Sequence, residues 1–316
     1  MERAIPLLNL QDFVQGDSEQ KHLFVKGLTQ AFKEIGFVGI VGHGIPDDLV
    51  DKFYYNAKDF FCLPISVKKQ YEIPGLAGQR GYTSFGKEHA KHSHIADLKE
   101  FFQIGQTVVG SDEIRSEYPD NIITDVLPEF TELGNKLYKR FEASGAHLLR
   151  AIAIGLNLEE DYFASKIRNG NSILRAIHYP PIIQEPESAI RAEQHEDINL
   201  ITLLVGASAG GLQVLTKEGH WLDVVPQDKE IVVNVGDMLQ RLTNNELIST
   251  THRVVNPPKA LWHVPRLSIP FFLHPRSSMD LSCLPACISV NNPIHYESIT
   301  AGEYLNERLR EIGLKK

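Results

Sequence analysis

His195-Glu196-Asp197-Ile198-Asn199-Leu200-Ile201-Thr202-Leu203-Leu204 is the stretch whose reading decides the fold. It begins with two metal-capable side chains, His195 and Asp197, and runs into an apolar segment of strand character. His252 follows after 54 residues, 198 to 251, and Arg266-Leu267-Ser268 after 13 more, 253 to 265. Two imidazoles and one carboxylate suit a borderline divalent ion that must keep open coordination positions, iron(II) first among them. Three protein ligands on one face of an octahedron leave three positions, enough for a bidentate co-substrate and dioxygen.

Taken alone, His-x-Asp says little in a chain with 13 histidines and 40 acidic residues. Its surroundings say more. Gly211-Leu212-Gln213-Val214, Val232-Val233-Asn234-Val235-Gly236-Asp237, Thr243-Asn244-Asn245, Ser249-Thr250-Thr251-His252-Arg253-Val254 and Arg266-Leu267-Ser268-Ile269-Pro270-Phe271-Phe272 follow the opening stretch in order. Together they resemble the core of the iron(II)/2-oxoglutarate-dependent dioxygenases, in the branch similar to isopenicillin N synthase. The resemblance implies that His195, Asp197 and His252 hold Fe(II). It also implies that 2-oxoglutarate chelates the metal and rests its distal carboxylate on Arg266 and Ser268, assisted by Tyr179. Dioxygen would then oxidise a small-molecule substrate by hydroxylation, desaturation or ring closure, with release of succinate and carbon dioxide and with ascorbate as reductant. No catalytic side chain beyond the metal centre is implied, and Glu196, between two ligands, reads as a neighbour.

Side chains two apart on a strand share a face. On periodicity alone, Leu267, Ile269 and Phe271 face a core while Arg266 and Ser268 face water; the resemblance turns that pair inward, where a planar guanidinium and a hydroxyl suit a carboxylate. Arg175 shares a face with Ile177 and Tyr179 and is a candidate substrate contact. Two other readings stand beside the leading one. One is an iron oxidase of the same fold that does not use 2-oxoglutarate, like isopenicillin N synthase or aminocyclopropane carboxylate oxidase. The other is a metal-binding jelly roll without turnover.

The 316 residues suffice for one functional unit with extensions. A formal charge of -8 argues against nucleic-acid and anionic-membrane surfaces, which need clustered Lys and Arg, and favours small-molecule chemistry. No stretch reaches the ~20 apolar residues of a membrane helix, and the start lacks a signal-peptide pattern. Cys62, Cys283 and Cys287 read as reduced thiols of a cytoplasmic protein.

The pattern divides the chain into an N-terminal region of helices and rim loops (1–120), scaffold helices (121–170), a jelly-roll core (171–275) and a C-terminal extension (276–316). The first region reads as a strand over 5–10, a helix over 18–35, a strand and turn over 36–46, and a helix from Pro46 to about Phe61. Residues 74–110 read as loop, the rim of a substrate pocket by resemblance, with Arg80, Tyr82 and Phe101 as candidate contacts. His43, His89, His92 and His94 read as turn or solvated polar groups. Apolar spacing predicts a long helix over 126–157 and a short one over 159–167. Strands are expected at 172–179, 200–205, 211–215, 221–225, 230–235, 238–242, 248–255 and 263–273, making a mixed α and β protein with a double-stranded β-helix, or jelly roll, flanked by helices. Thr300-Ala301-Gly302-Glu303 has capping-box spacing and should open a final helix across the barrel's outer side.

Overall fold

The computed structural model describes residues 5–76, 78–89, 95–108, 114, 117–186, 188–206, 208–312 and 314. Its strands are β1 (Leu7–Asn9), β2 (Phe37–Val41), β3 (Gly81–Thr83), β4 (Glu100–Gly105), β5 (Ile173–Tyr179), β6 (Ala192–His195), β7 (Ile201–Val205), β8 (Leu212–Leu215), β9 (Trp221–Asp223), β10 (Ile231–Val235), β11 (His252–Val254) and β12 (Arg266–Leu273). A major sheet has the order β1-β2-β10-β7-β12-β5-β4-β3, and a minor sheet the order β6-β11-β8-β9. All pairings but the parallel β1·β2 are antiparallel, as in a jelly roll.

Side-chain alternation divides the major sheet into two faces. Leu174 and Ala176 of β5, Leu203 of β7, Val233 of β10, and Ile269, Phe271 and Leu273 of β12 join a core shared with the helices. Arg175, Ile177 and Tyr179, Thr202 and Leu204, Val232 and Asn234, and Arg266, Ser268, Pro270 and Phe272 point the other way and line a cavity toward the minor sheet. Because both faces are covered, these strands are apolar almost throughout and their polar residues stand out.

The helices are α1 (Leu10–Val14), α2 (Ser18–Glu34), α3 (Asp47–Cys62), α4 (Ile65–Lys68), α5 (Pro128–Gly155), α6 (Ala164–Ile167), α7 (Asp237–Leu242) and α8 (Ala301–Glu311). Pro at the start of α5 presets the first turn, and its buried stripe includes Leu137, Phe141, Leu148 and Ile152. Phe141 stacks on Phe271 of β12 at 5.4 Å. Gly134 and Gly145 let α5 lie close to the sheet, since a Cβ there would collide with Ile104 and Leu273 respectively. In α2 the buried stripe is Phe24, Val25, Leu28, Ala31 and Phe32, while Leu23 is 58% exposed.

Four expectations change. Residues 238–242 form α7, not a strand; five residues of Met-Leu-Gln-Arg-Leu fit one helical turn as well as a strand, and the backbone N–H groups of Asp237 and Met238 bond to Asp197 and Asn199 carbonyls at 2.7 and 3.1 Å. Strand β6, which ends at His195, was not foreseen because its Ala-Glu-Gln-His sequence has no apolar alternation. The segment 74–110, read as loop, contains β3 and β4, and all six residues of β4 are buried. The final helix does form, but Tyr304, Leu305, Arg308 and Leu309 of α8 line the mouth of the cavity rather than the barrel's outer side.

The capping box at Thr300 is complete: the Glu303 N–H donates to the Thr300 hydroxyl, and the Thr300 N–H donates to the Glu303 carboxylate at 3.0 Å. Thr300→Ala should destabilise the protein by about 1 kcal/mol, read as a lower thermal midpoint; an unchanged midpoint would mean that α8 contributes little to global stability.

Candidate active site

The site forms where the two sheets meet. His252, at the start of β11, is the direct cross-strand partner of His195, at the end of β6, and their ring centroids lie 4.4 Å apart. Asp197 lies two residues past β6. Its Oδ1 is 4.0 Å from His195 Nε2 and 3.8 Å from His252 Nε2. One atom from each of these residues falls within 4.8 Å of the others, a triangle that one ion can touch at all three corners.

Each group is held in the form a metal needs. His195 Nδ1 donates to the Glu193 carbonyl at 2.6 Å and His252 Nδ1 to the Thr250 carbonyl at 3.1 Å, which leaves each Nε2 lone pair free. Asp197 Oδ2 accepts from Thr202 Oγ1 at 2.6 Å and Asn234 Nδ2 at 2.8 Å, so the carboxylate is aimed by β7 and β10 of the opposite sheet. Burial opposes ionisation of Asp197, but the two imidazoles and these two hydrogen bonds outweigh it and hold the carboxyl below its usual range. Burial, then the neighbouring His252, lowers the His195 pKa. A deprotonated carboxylate beside neutral imidazoles is the ligand state. Glu196 is exposed at the edge of the cavity and accepts a hydrogen bond from Thr251.

Across the cavity, Arg266 and Ser268 are buried, at 2% and 3% exposure, and face inward as the resemblance implied. Arg266 pairs with Tyr179 across β12 and β5, and its guanidinium lies 5.0 Å from the ring centroid. Its Nε donates to the Ala209 carbonyl at 3.0 Å, while Nη1 is buried without a partner. Among the described residues no carboxylate forms an ion pair with it. An uncompensated buried guanidinium is costly, and a carboxylate ligand would remove that cost. A second buried arginine, Arg191, to which sequence reasoning assigned no role, lies 6.0 Å from the centroid of the same Tyr179 ring and donates to the Val264 carbonyl.

The remaining candidates separate. Arg175 lines the cavity, its guanidinium 4.1 Å from the Phe101 centroid and 5.1 Å from that of Phe272. Phe101 itself is buried beneath Arg175 and is not on the cavity wall. Nor are Arg80 and Tyr82. Arg80 is spent on the Gln79 carbonyl and the Gln106 side chain, and Tyr82 donates to Glu100, so all three belong to the packing behind the rim. His43 is structural: Nδ1 accepts the Ile45 N–H at 3.1 Å, and Nε2 lies 3.2 Å from the Lys229 carbonyl. His89 lines the cavity, whereas His92 and His94 lie outside the described residues.

Around Arg175 the chain builds a buried ionic cluster from the segment that had read as a solvated loop. Lys99 Nζ lies 2.6 Å from Glu88 and 2.7 Å from Asp97, and Glu88 lies 3.3 Å from Arg175 Nη1. Burial works against the Glu88 charge, yet Arg175 and Lys99 bring its pKa to about 2. Asp97 Oδ1 also accepts the Glu193 N–H at 3.0 Å, and Glu193 is the residue whose carbonyl orients His195. No periodicity marks Glu88, Asp97 or Lys99. The signal that could have found them is the density of charge beside the buried run Glu100 to Gly105.

Comparison with known proteins agrees with this architecture. Residues 5–125 match the family model for the non-haem dioxygenase in morphine synthesis N-terminal region, and residues 170–275 match that of the 2OG-Fe(II) oxygenase superfamily. A proline hydroxylase of Petromyces alliaceus is 35% identical over 96% of this chain and 97% of its own. A 2-oxoglutarate-dependent dioxygenase of Aspergillus rugulosus is 30% identical over 95% and 97%. Among solved structures, a 2OG-Fe(II) oxygenase family protein of Caulobacter crescentus superposes with a TM-score of 0.88 at 41% identity, over 98% of this chain and 100% of that one. A Neurospora crassa protein crystallised with 2-oxoglutarate and thymine gives 0.85 at 31% identity, over 97% and 96%. With this fold, this donor set and these relatives, the chain belongs to the 2OG-Fe(II) oxygenase superfamily and is a 2-oxoglutarate-dependent dioxygenase.

Proposed function

We propose that His195, Asp197 and His252 hold one Fe(II), and that Arg266, Ser268 and Tyr179 hold the distal carboxylate of 2-oxoglutarate, while a small molecule occupies the compartment beside Arg175. The observation that carries this reading is the buried Arg266 guanidinium, without a carboxylate partner among the described residues, on the wall of the cavity that also holds the three ligands. Bound iron would supply open coordination positions for 2-oxoglutarate and for dioxygen, which is the oxidant. The chain's own residues do the rest. Glu193 and Thr250 carbonyls fix the imidazole tautomers, Thr202 and Asn234 aim the carboxylate, Arg266 and Ser268 set the co-substrate's direction, and Ile177, Leu204, Val232 and Phe272 keep the cavity walls apolar. Arg266 donates charge-assisted hydrogen bonds in a fixed plane, which orients the ligand as well as binding it.

In finer terms the chain falls in the isopenicillin N synthase-like branch, uses ascorbate to keep its metal ferrous, and works in the cytoplasm, where the free thiols of Cys62, Cys283 and Cys287 would stay reduced. Anaerobic titration of the iron-loaded protein with 2-oxoglutarate should produce a metal-to-ligand charge-transfer band that saturates at one equivalent per iron. Iron binding without such a band would favour the oxidase that dispenses with 2-oxoglutarate.

A further inference from the structure

The cavity, about 690 Å³, has two compartments of opposite electrostatic character. On the Arg266 side a guanidinium is buried with no ion-pair partner among the described residues. On the Arg175 side the buried charges of the described residues are compensated. Arg175 and Lys99 face Glu88 and Asp97, two cations against two carboxylates, in contacts of 2.6 to 3.3 Å. A charged ligand entering there would meet no free counter-charge and would forfeit its hydration. Yet the compartment is not purely apolar. His274, just past the end of β12, lines it, is 6% exposed and has a buried Nδ1 with no partner among the described residues; its backbone N–H and carbonyl are engaged by Ser172. Arg175 uses Nε on Gln103 and Nη1 on Glu88, and among the described residues its Nη2 makes no hydrogen bond. Ile173, Pro270 and Phe272 supply the apolar walls between these groups. Burial holds the His274 pKa down at about 4, so near neutral pH its ring offers one donor and one acceptor.

Resting on the metal and 2-oxoglutarate sites proposed above, we infer that this compartment takes an uncharged substrate that both donates and accepts hydrogen bonds, of the amide or lactam class, with His274 and Arg175 as its specificity-determining contacts. The neutral ion cluster excludes carboxylates and ammonium groups. The unpartnered imidazole and the free Nη2 provide the acceptor and donor that an N–H beside a C=O would satisfy, and leaving such buried groups unmatched is what discriminates against analogues without them.

The test uses the full-length protein loaded with Fe(II) and 2-oxoglutarate under argon, with the charge-transfer band as readout. Uracil and 2-piperidone are the uncharged probes, L-proline the zwitterion and indole-3-acetate the anion. The uncharged pair should perturb the band at lower concentration than the charged pair. His274→Phe should weaken that response by roughly ten- to a hundredfold, and His274→Gln, which keeps a donor and an acceptor, should recover part of it. The band formed by 2-oxoglutarate alone should survive both substitutions. Preference for L-proline or the anion, no response to either uncharged probe, or equal lactam binding by wild type and His274→Phe would overturn the inference. Absence of the band before any probe is added would instead remove the 2-oxoglutarate site on which the inference stands.

Discussion

Asp197→Ala should abolish turnover and iron binding together. Asp197 contributes the one negative charge of the proposed ligand set, and its Oδ1 is the corner nearest both imidazoles, at 3.8 and 4.0 Å. Losing a hydrogen-bond partner of a metal ligand already costs about 10–100-fold in affinity, so losing the ligand should exceed that range. The substitution also removes the better acceptor of the Thr202 hydroxyl and the Asn234 amide, leaving them the longer contacts to Asn199 and Val235 at 3.3 and 3.4 Å, at a stability cost of about 1–3 kcal/mol that leaves the domain folded. Asp197→Asn, which keeps an oxygen for those donors but not the charge, should fold like wild type and still lose most iron affinity. The measurements are ferrous-ion titration, succinate formation and circular dichroism on both variants, with His43→Ala as a control that keeps its iron. Wild-type turnover in Asp197→Ala would end the proposed triad.

Arg266→Ala should raise the Michaelis constant for 2-oxoglutarate steeply while leaving iron affinity near wild type. Removing one partner of a buried, hydrogen-bonded charge pair costs on the order of 2 to 5 kcal/mol, which corresponds to about thirtyfold or more. Arg266→Lys keeps the charge but loses the planar fork that addresses both carboxylate oxygens, so its effect should be smaller yet clear. In the free protein Arg266→Ala should cost little or no stability, because it removes a buried cation that has no ion-pair partner among the described residues. Succinate release measured against 2-oxoglutarate concentration for the three proteins decides the matter. An unchanged Michaelis constant in Arg266→Ala would assign the distal carboxylate to other groups, with buried Arg191 the next to test.

Strand periodicity alone had sent Arg266 and Ser268 to solvent, and it erred for a definable reason. Alternation tells which residues share a face, but not what covers that face. Here helix α5 covers the side that carries Phe271, and the minor sheet covers the side that carries Arg266, so neither is wet. The same limit explains Arg80, Tyr82 and Phe101, which sit in the expected segment but point into packing. Residues 238–242 became a helix because Asp237 and Met238 dock on carbonyls of the Asp197 to Asn199 turn, a contact between segments some forty residues apart that no local window contains.

By itself the sequence determined the chemistry. Two histidines, an aspartate and an Arg-x-Ser pair, in that order among short apolar strands, resemble the metal and co-substrate residues of the iron(II)/2-oxoglutarate-dependent dioxygenases, and it is this resemblance, not the spacing of any one pair, that pointed to a borderline-metal site next to an anion site. Only the tertiary structure decided which side chains meet. Pairing β6 with β11 sets His195 opposite His252, and bringing Glu88, Asp97 and Lys99 against Arg175 of β5 turns these apparently solvated side chains into a buried, balanced cluster. The last helix came to the cavity mouth in the same way, its Tyr304 donating to Asp237 at 3.0 Å. These outcomes depend on desolvation and charge compensation between distant segments, which exist only once the chain has closed on itself.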